Sequence, residues 1–133
     1  MTLKDFFKND KYAELSGVEL IEIGEGRART KMNVNESHFN AGNVVQGGAI
    51  FTLADLAFAA AAHSYGYLTV SLETSIRFFK STNSGTLYAE ANIVNKHPKI
   101  PTYEVEITDE HGTLIALFTV TGYTKNIPIT TDK

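Results

Sequence analysis

Gly47-Gly48-Ala49-Ile50-Phe51-Thr52-Leu53-Ala54-Asp55-Leu56-Ala57-Phe58-Ala59-Ala60-Ala61-Ala62-His63-Ser64 is the stretch on which the fold turns. From Ala49 to Ala62 it carries one charge, Asp55, and one other polar side chain, Thr52. A helix that is apolar all round is a buried helix. The 14 residues from Ala49 to Ala62 are too few to span a bilayer, and the small alanines suit packing against a sheet. The glycine pair marks the start of this helix. It ends near Ser64-Tyr65-Gly66, with Gly66 in the left-handed position that closes helices. Asp55 is then the anomaly. A buried carboxylate must be paired, neutralised or open to a cavity, because an unpaired buried charge costs several kcal/mol or more. Proteins keep such groups mainly where they use them.

Around the helix the pattern changes. Leu3, Phe6, Phe7, Tyr12 and Leu15 are spaced as on a short amphipathic helix over about 3–15, with Thr2 as its N-cap. Val18 to Ile23 and Arg27 to Val34 read as strands about a Gly24-Glu25-Gly26 turn, and the Asn-rich segment from Asn33 to Asn43 reads as a loop. Beyond the helix the period is two. Leu68, Val70, Leu72, Ile76 and Phe78 are expected on one strand face, with Thr69, Ser71, Glu73, Ser75 and Arg77 on the other. On that reckoning Thr74 is the one polar residue on the apolar face. Strands from Leu87 to Ile93, Tyr103 to Ile107 and Thr113 to Tyr123 follow, the last two joined by a tight Asp109-Glu110-His111-Gly112 turn. The last strand is apolar on both faces, as expected either of a strand lying between neighbours or of one whose outer face another subunit covers. The order is a short helix, two strands, a long buried helix and four strands, an α+β arrangement with one helix lying in a curved antiparallel sheet. One domain over residues 1–133 is expected.

The totals narrow the function. Of the residues, 43% are hydrophobic and 20% charged, the net charge is −3, and no basic run or basic-aromatic patch is present, so nucleic-acid binding has no support. The chain has no cysteine, which removes thiol nucleophiles and thiolate metal sites. No two of the four histidines have ligand spacing, so neither a metal nor another cofactor is expected. Without a signal-like start, the cytoplasm is the expected compartment, with no membrane partner.

One segment is more specific. Asn40 lies six residues before Gln46-Gly47-Gly48, and Asp55 lies nine residues after Gln46 in the context Phe51-Thr52-Leu53-Ala54-Asp55. Over roughly Val18 to Tyr123 the chain resembles the hotdog-fold acyl-CoA thioesterases of the phenylacetate-degradation (PaaI) type, whose pattern is Asn, then His-Gly-Gly, then Asp in that register. Ile76 and the Gly85-Thr86-Leu87 turn match the family's later strands. Gln46 stands where the family has His. Glutamine can donate or accept a hydrogen bond but cannot be protonated near neutral pH. Lys96 and Lys99 stand where relatives often carry a basic pair, and would supply any contact with a CoA phosphate.

The resemblance implies an acyl-CoA substrate, a homodimer (with dimers pairing into a tetramer) and roles for particular residues. Gly47 would donate its N–H to the oxyanion, Asn40 would position the carbonyl or the water, Gln46 and Gly48 would contact substrate, and Ser71 aligns with a position relatives use near the water, against the alternative of a solvated strand face. Thr74, from its place on the apolar face, would either line the acyl cavity or bond a neighbour. From its chemistry, Asp55 would be a general base or a nucleophile forming a mixed anhydride. Glycines at a helix start also let a substrate approach the backbone. Gly47 and Asp55 lie about 12 Å apart along one helix. If both act on one thioester, the Gly47 of one subunit must face the Asp55 of another. Two other readings compete. In a hotdog dehydratase, His38-Phe39 would open the motif, but the carboxylate due 14 residues after His38 is Thr52. A non-catalytic acyl-CoA-binding protein would explain Gln46, but it would gain nothing from a buried Asp55 near an anionic ligand.

Overall fold

The structure is a computed structural model and describes residues 1–133. Two short helices, α1 (Leu3–Phe7) and α2 (Lys11–Leu15), precede strands β1 (Val18–Gly24) and β2 (Arg27–Asn33). The long helix α3 (Gly47–His63) follows, then β3 (Tyr67–Phe78), β4 (Thr86–Asn95), β5 (Thr102–Asp109) and β6 (Leu114–Pro128). The strands form one antiparallel sheet in the order β1-β2-β4-β5-β6-β3. The sheet wraps α3, which contacts every strand. This is the hotdog fold.

The sequence dictates the wrap. Ala28, Met32, Leu87, Ala89, Ala91, Tyr103, Val105, Ile107, Ala116, Phe118 and Val120 line the buried face of the sheet. Opposite them stand Ile50, Leu53, Ala54, Ala57, Phe58, Ala60 and Ala61 of α3. Alanines on both surfaces bring helix and sheet close, while Phe51 on Phe118 and Phe58 on Tyr103 pack edge-on at ring separations of 5.1 and 5.5 Å. Thr30, buried in β2, donates to the Leu53 carbonyl at 2.8 Å, so its hydroxyl is satisfied within the core.

Three sequence expectations change. The single N-terminal helix over 3–15 is two helices, because Asp10 takes an extended conformation and its carboxylate caps the second by accepting from the Ala13 N–H. The last strand runs on past its expected end at Tyr123 to Pro128, which pairs with Tyr67 at the start of β3. The third change is in β3, where the simple alternation fails. A bulge lies between Ser71 and Glu73, with Ser71 opposite Gly122 and Glu73 opposite Thr121. One extra residue reverses the facing of everything beyond it. A Cβ on Gly122 would meet Thr69 and Phe58, so Gly122 points inward, and its partner Ser71 shares that face. Past the bulge Thr74, Ile76 and Phe78 stand opposite Val120, Phe118 and Ala116, which are buried. The inward row of β3 is therefore Thr69, Ser71, Thr74, Ile76 and Phe78. Ser71 and Thr74, expected on opposite faces, lie on one, and Val70 and Leu72 face outward.

The apolar character of β6 has the simpler of its two explanations, since this strand lies between β5 and β3. Strand β3 is an edge strand of twelve residues, with Val70 and Leu72 exposed on it.

Candidate active site

Helix α3 and strand β3 build the site between them. The chain leaves α3 at His63, turns through Gly66 (φ 91°) and returns as β3, antiparallel to the helix. Two contacts fix the ends of this pair. At one, the Thr69 N–H donates to His63 Nε2 over a long 3.4 Å. At the other, the Phe78 ring lies where a Gly47 Cβ would be, 2.9 Å from that position. Gly47 and His63 each lie eight residues from Asp55, about 80° to either side of it around the helix. Strand β3 thus runs back beside α3 between these two contacts, with Thr74 half-buried and Ser71 exposed along it.

Asp55 is half-buried and makes no hydrogen bond or ion pair within the chain. Burial pushes its carboxyl above the ordinary value of 3.8, and the negative charge of Asp10 adds to the shift. Helix α3 is not covered on every side. Gly48, Thr52, Asp55 and Ala59, at helical spacing, form a stripe that retains exposure beside the unpaired edge of β3. Asp55 is the ionisable group on that stripe.

At the start of the helix, neither the Gly47 nor the Gly48 N–H donates to any group of the chain, so two amide donors stand free beside the positive end of the helix dipole. The two glycines also accommodate neighbouring side chains. The space a Cβ would fill is occupied by the Phe78 ring at Gly47 and by Gln46 Oε1, 2.9 Å away, at Gly48. The missing side chains make room for these neighbours of the same chain. Gln46 is the N-cap residue of α3, is exposed, and makes no side-chain cap.

The loop leading into the helix holds Asn40 in a defined orientation. Its Oδ1 accepts from the Gly42 N–H at 2.8 Å and the Val44 N–H at 3.4 Å, and its backbone N–H donates to the Val44 carbonyl at 2.8 Å. Asn43 closes the turn at φ 61°. With Oδ1 engaged, the exposed Nδ2 is what Asn40 offers to a ligand, and it is a donor. The loop is anchored by the Gln46 N–H to the His38 carbonyl and the Val45 N–H to the Thr82 carbonyl, at 2.8 and 2.9 Å. His38 itself is buried. Its Nε2–H donates to the Ser16 carbonyl at 2.7 Å while its Nδ1 accepts from the Asn35 N–H at 3.1 Å, which ties the loop to the end of α2. No isolated residue pattern revealed that link, because its partner is a backbone carbonyl 22 positions away.

Within one chain, then, Gln46, Gly47 and Gly48 lie at the start of α3 with Asn40 in the loop leading into it, Asp55 sits half-way along the helix, and Ser71 and Thr74 lie on β3. The two groups are not brought together. His63, the last residue of α3, is buried against Phe6 and Phe7, at ring separations of 5.9 and 5.3 Å. Its Nδ1–H donates to the Ala59 carbonyl at 2.6 Å, and burial lowers its tendency to take a proton. Lys96 and Lys99 lie at the far end of the fold, in the β4–β5 loop, with the Lys96 ammonium 4.3 Å above the Tyr65 ring.

Known proteins share this fold. A family model described as the thioesterase superfamily matches residues 42–116. The acyl-coenzyme A thioesterase PaaI of Escherichia coli K12 is 33% identical over 113 residues, covering 84% of this chain and 81% of that protein. A protein of Archaeoglobus fulgidus, named as a candidate esterase, is 44% identical over 126 residues, 93% of this chain and 82% of its own. The solved structure of the E. coli PaaI protein superposes with a TM-score of 0.90 at 31% identity, covering 95% of this chain and 92% of that one. Fold and site together define a hotdog-fold thioester hydrolase. Within that class the chain belongs to the thioesterase superfamily and is closely related to its PaaI-type members.

Proposed function

We propose that the protein hydrolyses an acyl-CoA to the free acid and CoA, at sites shared between two copies of the chain. The observation that carries this reading is Asp55, an unpartnered carboxylate on the one helix stripe the fold leaves open, about 12 Å from the free Gly47 amide. In this reading the thioester carbonyl rests against the Gly47 N–H of one subunit, with the Asn40 Nδ2 as a second donor, so negative charge developing on oxygen meets fixed dipoles. Asp55 of the other subunit takes a proton from water as the water attacks, or attacks the carbonyl carbon itself. The thiolate of CoA leaves in either case. Ser71 and Thr74 hold the water or the substrate from β3. Gln46, next to the oxyanion donors, contributes a hydrogen bond and no charge.

The exposed edge of β3 supports the homodimer. A long unpaired edge with apolar Val70 and Leu72 is a template for strand pairing. Pairing this edge with its own copy would bring two α3 helices side by side and close each Asp55 stripe. A further pairing of dimers into a tetramer extends the proposal.

Thiol release from a panel of short, medium and aryl acyl-CoAs tests the reading, with wild type and Asp55→Asn side by side. Wild type is expected to turn over at least one member, and the variant to fall by about a hundredfold or more. A wild type that binds acyl-CoA without releasing thiol would instead favour the non-catalytic reading.

A further inference from the structure

Past its bulge, β3 carries two charges that find no partner in their own chain. Glu73, Ser75 and Arg77 stand opposite Thr121, Thr119 and Leu117 of β6, on the sheet face away from α3, and all three are exposed. The ion pairs of the chain join Lys8 to Asp5, Arg27 to Glu22, Lys31 to Glu19 and His111 to Glu110, which leaves Glu73 and Arg77 free. On the side away from β6 no strand faces them, because β3 is the edge of the sheet.

The backbone of this edge is ready to pair. The Phe79 N–H donates to the Ile115 carbonyl at 2.8 Å. Backbone groups along an antiparallel strand point alternately to one side and the other. Those of Ser75 and Arg77 therefore point to β6, and those of Thr74 and Ile76 point to the open edge.

A second copy pairing with this edge across a two-fold axis must set inward residues against inward residues. The axis then passes between one residue of β3 and its own copy. The registers to compare are those centred on residues 73–77, the stretch beyond the bulge. An axis at Glu73 sets that carboxylate against itself, and an axis at Arg77 does the same to the guanidinium. Like charges directly opposite are destabilising. An axis at Thr74 sets Glu73 against Ser75, and an axis at Ile76 sets Arg77 against Ser75, so each forfeits the ion pairs. An axis at Ser75 sets Glu73 of each copy against Arg77 of the other. It also makes Thr74 and Ile76, whose backbone groups face the edge, the hydrogen-bonded partners.

Resting on the homodimer proposed above, we infer that two copies of the chain join with Ser75 on the two-fold axis and a Glu73–Arg77 pair on either side of it. The two charges choose the register, and the register matters for the shared site. Moving the axis by one residue slides the strands past each other by two, about 7 Å. That is the length of roughly four to five residues of α3. Which part of one α3 faces Asp55 of the other follows from this choice.

The chain has no cysteine, so a disulfide between copies reports a single introduced position. Opposed residues in a non-hydrogen-bonded antiparallel pair lie about 4.5 Å apart at Cα, within the range a disulfide spans. Ser75→Cys is expected to give a covalent dimer on a non-reducing gel after mild oxidation. Glu73→Cys and Arg77→Cys, each about 14 Å from its own copy, should stay single chains. Thr74→Cys and Ile76→Cys complete the scan and should also stay single. Charge exchange tests the pairs by another route. Glu73→Arg and Arg77→Glu should each raise the dimer dissociation constant by about tenfold or more, read by sedimentation over a dilution series. Mixed in equal amounts, the two variants should associate as a heterodimer with close to wild-type affinity, because every charge then meets its opposite. A dimeric wild type that cross-links through Thr74→Cys or Ile76→Cys and not Ser75→Cys, or through none of them, overturns the register alone. So does a mixture no tighter than its components. A wild type that sediments as a monomer overturns the homodimer and the register with it. Thiol release reports on hydrolysis by itself, so a dimer of this register without turnover sinks the hydrolase and leaves the interface standing.

Discussion

The Phe78 ring occupies the space that a side chain at Gly47 would need, its Cζ atom 2.9 Å from the ideal Cβ position. One residue begins the helix and the other ends the strand that runs back beside it, so this contact sets how closely the strand end approaches the two free amides. Gly47→Ala forces the ring aside. Overpacking of this kind costs about 1–3 kcal/mol, and the low end is expected because Phe78 is 48% exposed and can swing outward. Removing the ring in a Gly47→Ala, Phe78→Ala double variant should recover most of that loss. A urea-unfolding cycle over the four proteins measures the coupling, and strictly additive losses would show that the two residues do not constrain each other.

Asp55 should trade stability for activity. Its carboxyl is held above 3.8 by burial and by Asp10, so the folded protein binds the proton more tightly than the unfolded chain does. A carboxyl with a raised folded value favours folding fully below the unfolded value, and that contribution is lost as pH rises through the folded one. At neutral pH the ionised Asp55 is therefore a burden on the fold. Asp55→Asn is expected to melt higher than wild type at pH 7, with the gap closing as pH falls toward 3.8. Activity should run the other way, rising with pH on an acid limb displaced above the ordinary carboxylate range. Thermal melts and thiol-release rates across the acid range check both signs.

A shared site makes a stoichiometric prediction. Asn40→Ala and Asp55→Asn should each be nearly inactive alone. Subunits of the two, mixed and reassembled, form mixed dimers in which one of two sites recovers an intact Asn40 and an intact Asp55. Random pairing at equal amounts restores roughly a quarter of the wild-type sites. Recovery near that level, measured as rate per subunit after dissociation and reassembly, supports the shared arrangement. No recovery despite demonstrated exchange would place both residues in one subunit's site.

Much of this was legible in the chain because it is carried by pattern. The apolar run with its glycine start announced a buried helix, strict alternation announced half-buried strands, and Asp55 was conspicuous as the lone charge in between. What escaped depended on a single extra residue or on distant partners. The β3 bulge leaves no mark in the alternation of Val70, Ser71, Leu72 and Glu73, so the face shared by Ser71 and Thr74 emerged only from pairing with Gly122 and Val120. The use of Gly47 as a seat for Phe78, 31 positions later, could not be told from the use of glycine to expose backbone. Asn40 was found by its spacing, but the choice of Nδ2 as its free atom required the loop bonds to Gly42 and Val44.

His63 gives a test of how the N-terminal helix is held. Phe6 and Phe7 of α1 pack on its ring, and the ring is neutral, with Nδ1–H donating to the Ala59 carbonyl and Nε2 accepting from the Thr69 N–H. Protonating Nε2 turns that acceptor into a donor facing another donor, and puts a charge among aromatic rings. Burial accordingly lowers the folded value below 6.5, and the hydrogen bond to Ala59 offsets only part of the shift. A histidine depressed in this way contributes stability that is complete above 6.5 and is lost as pH falls from there through the folded value. Wild type should therefore lose melting temperature on acidification from pH 6.5 toward about 5, where few ordinary carboxylates titrate. His63→Phe keeps the aromatic packing and deletes the titration. It should start lower at pH 7.5, having lost the two hydrogen bonds, and decline less over the same interval. Hydrogen exchange at the α1 amides should accelerate over that pH window in wild type, after correction for intrinsic rates, and not in the variant. Parallel melting curves for the two proteins would remove His63 as the source of the acid sensitivity.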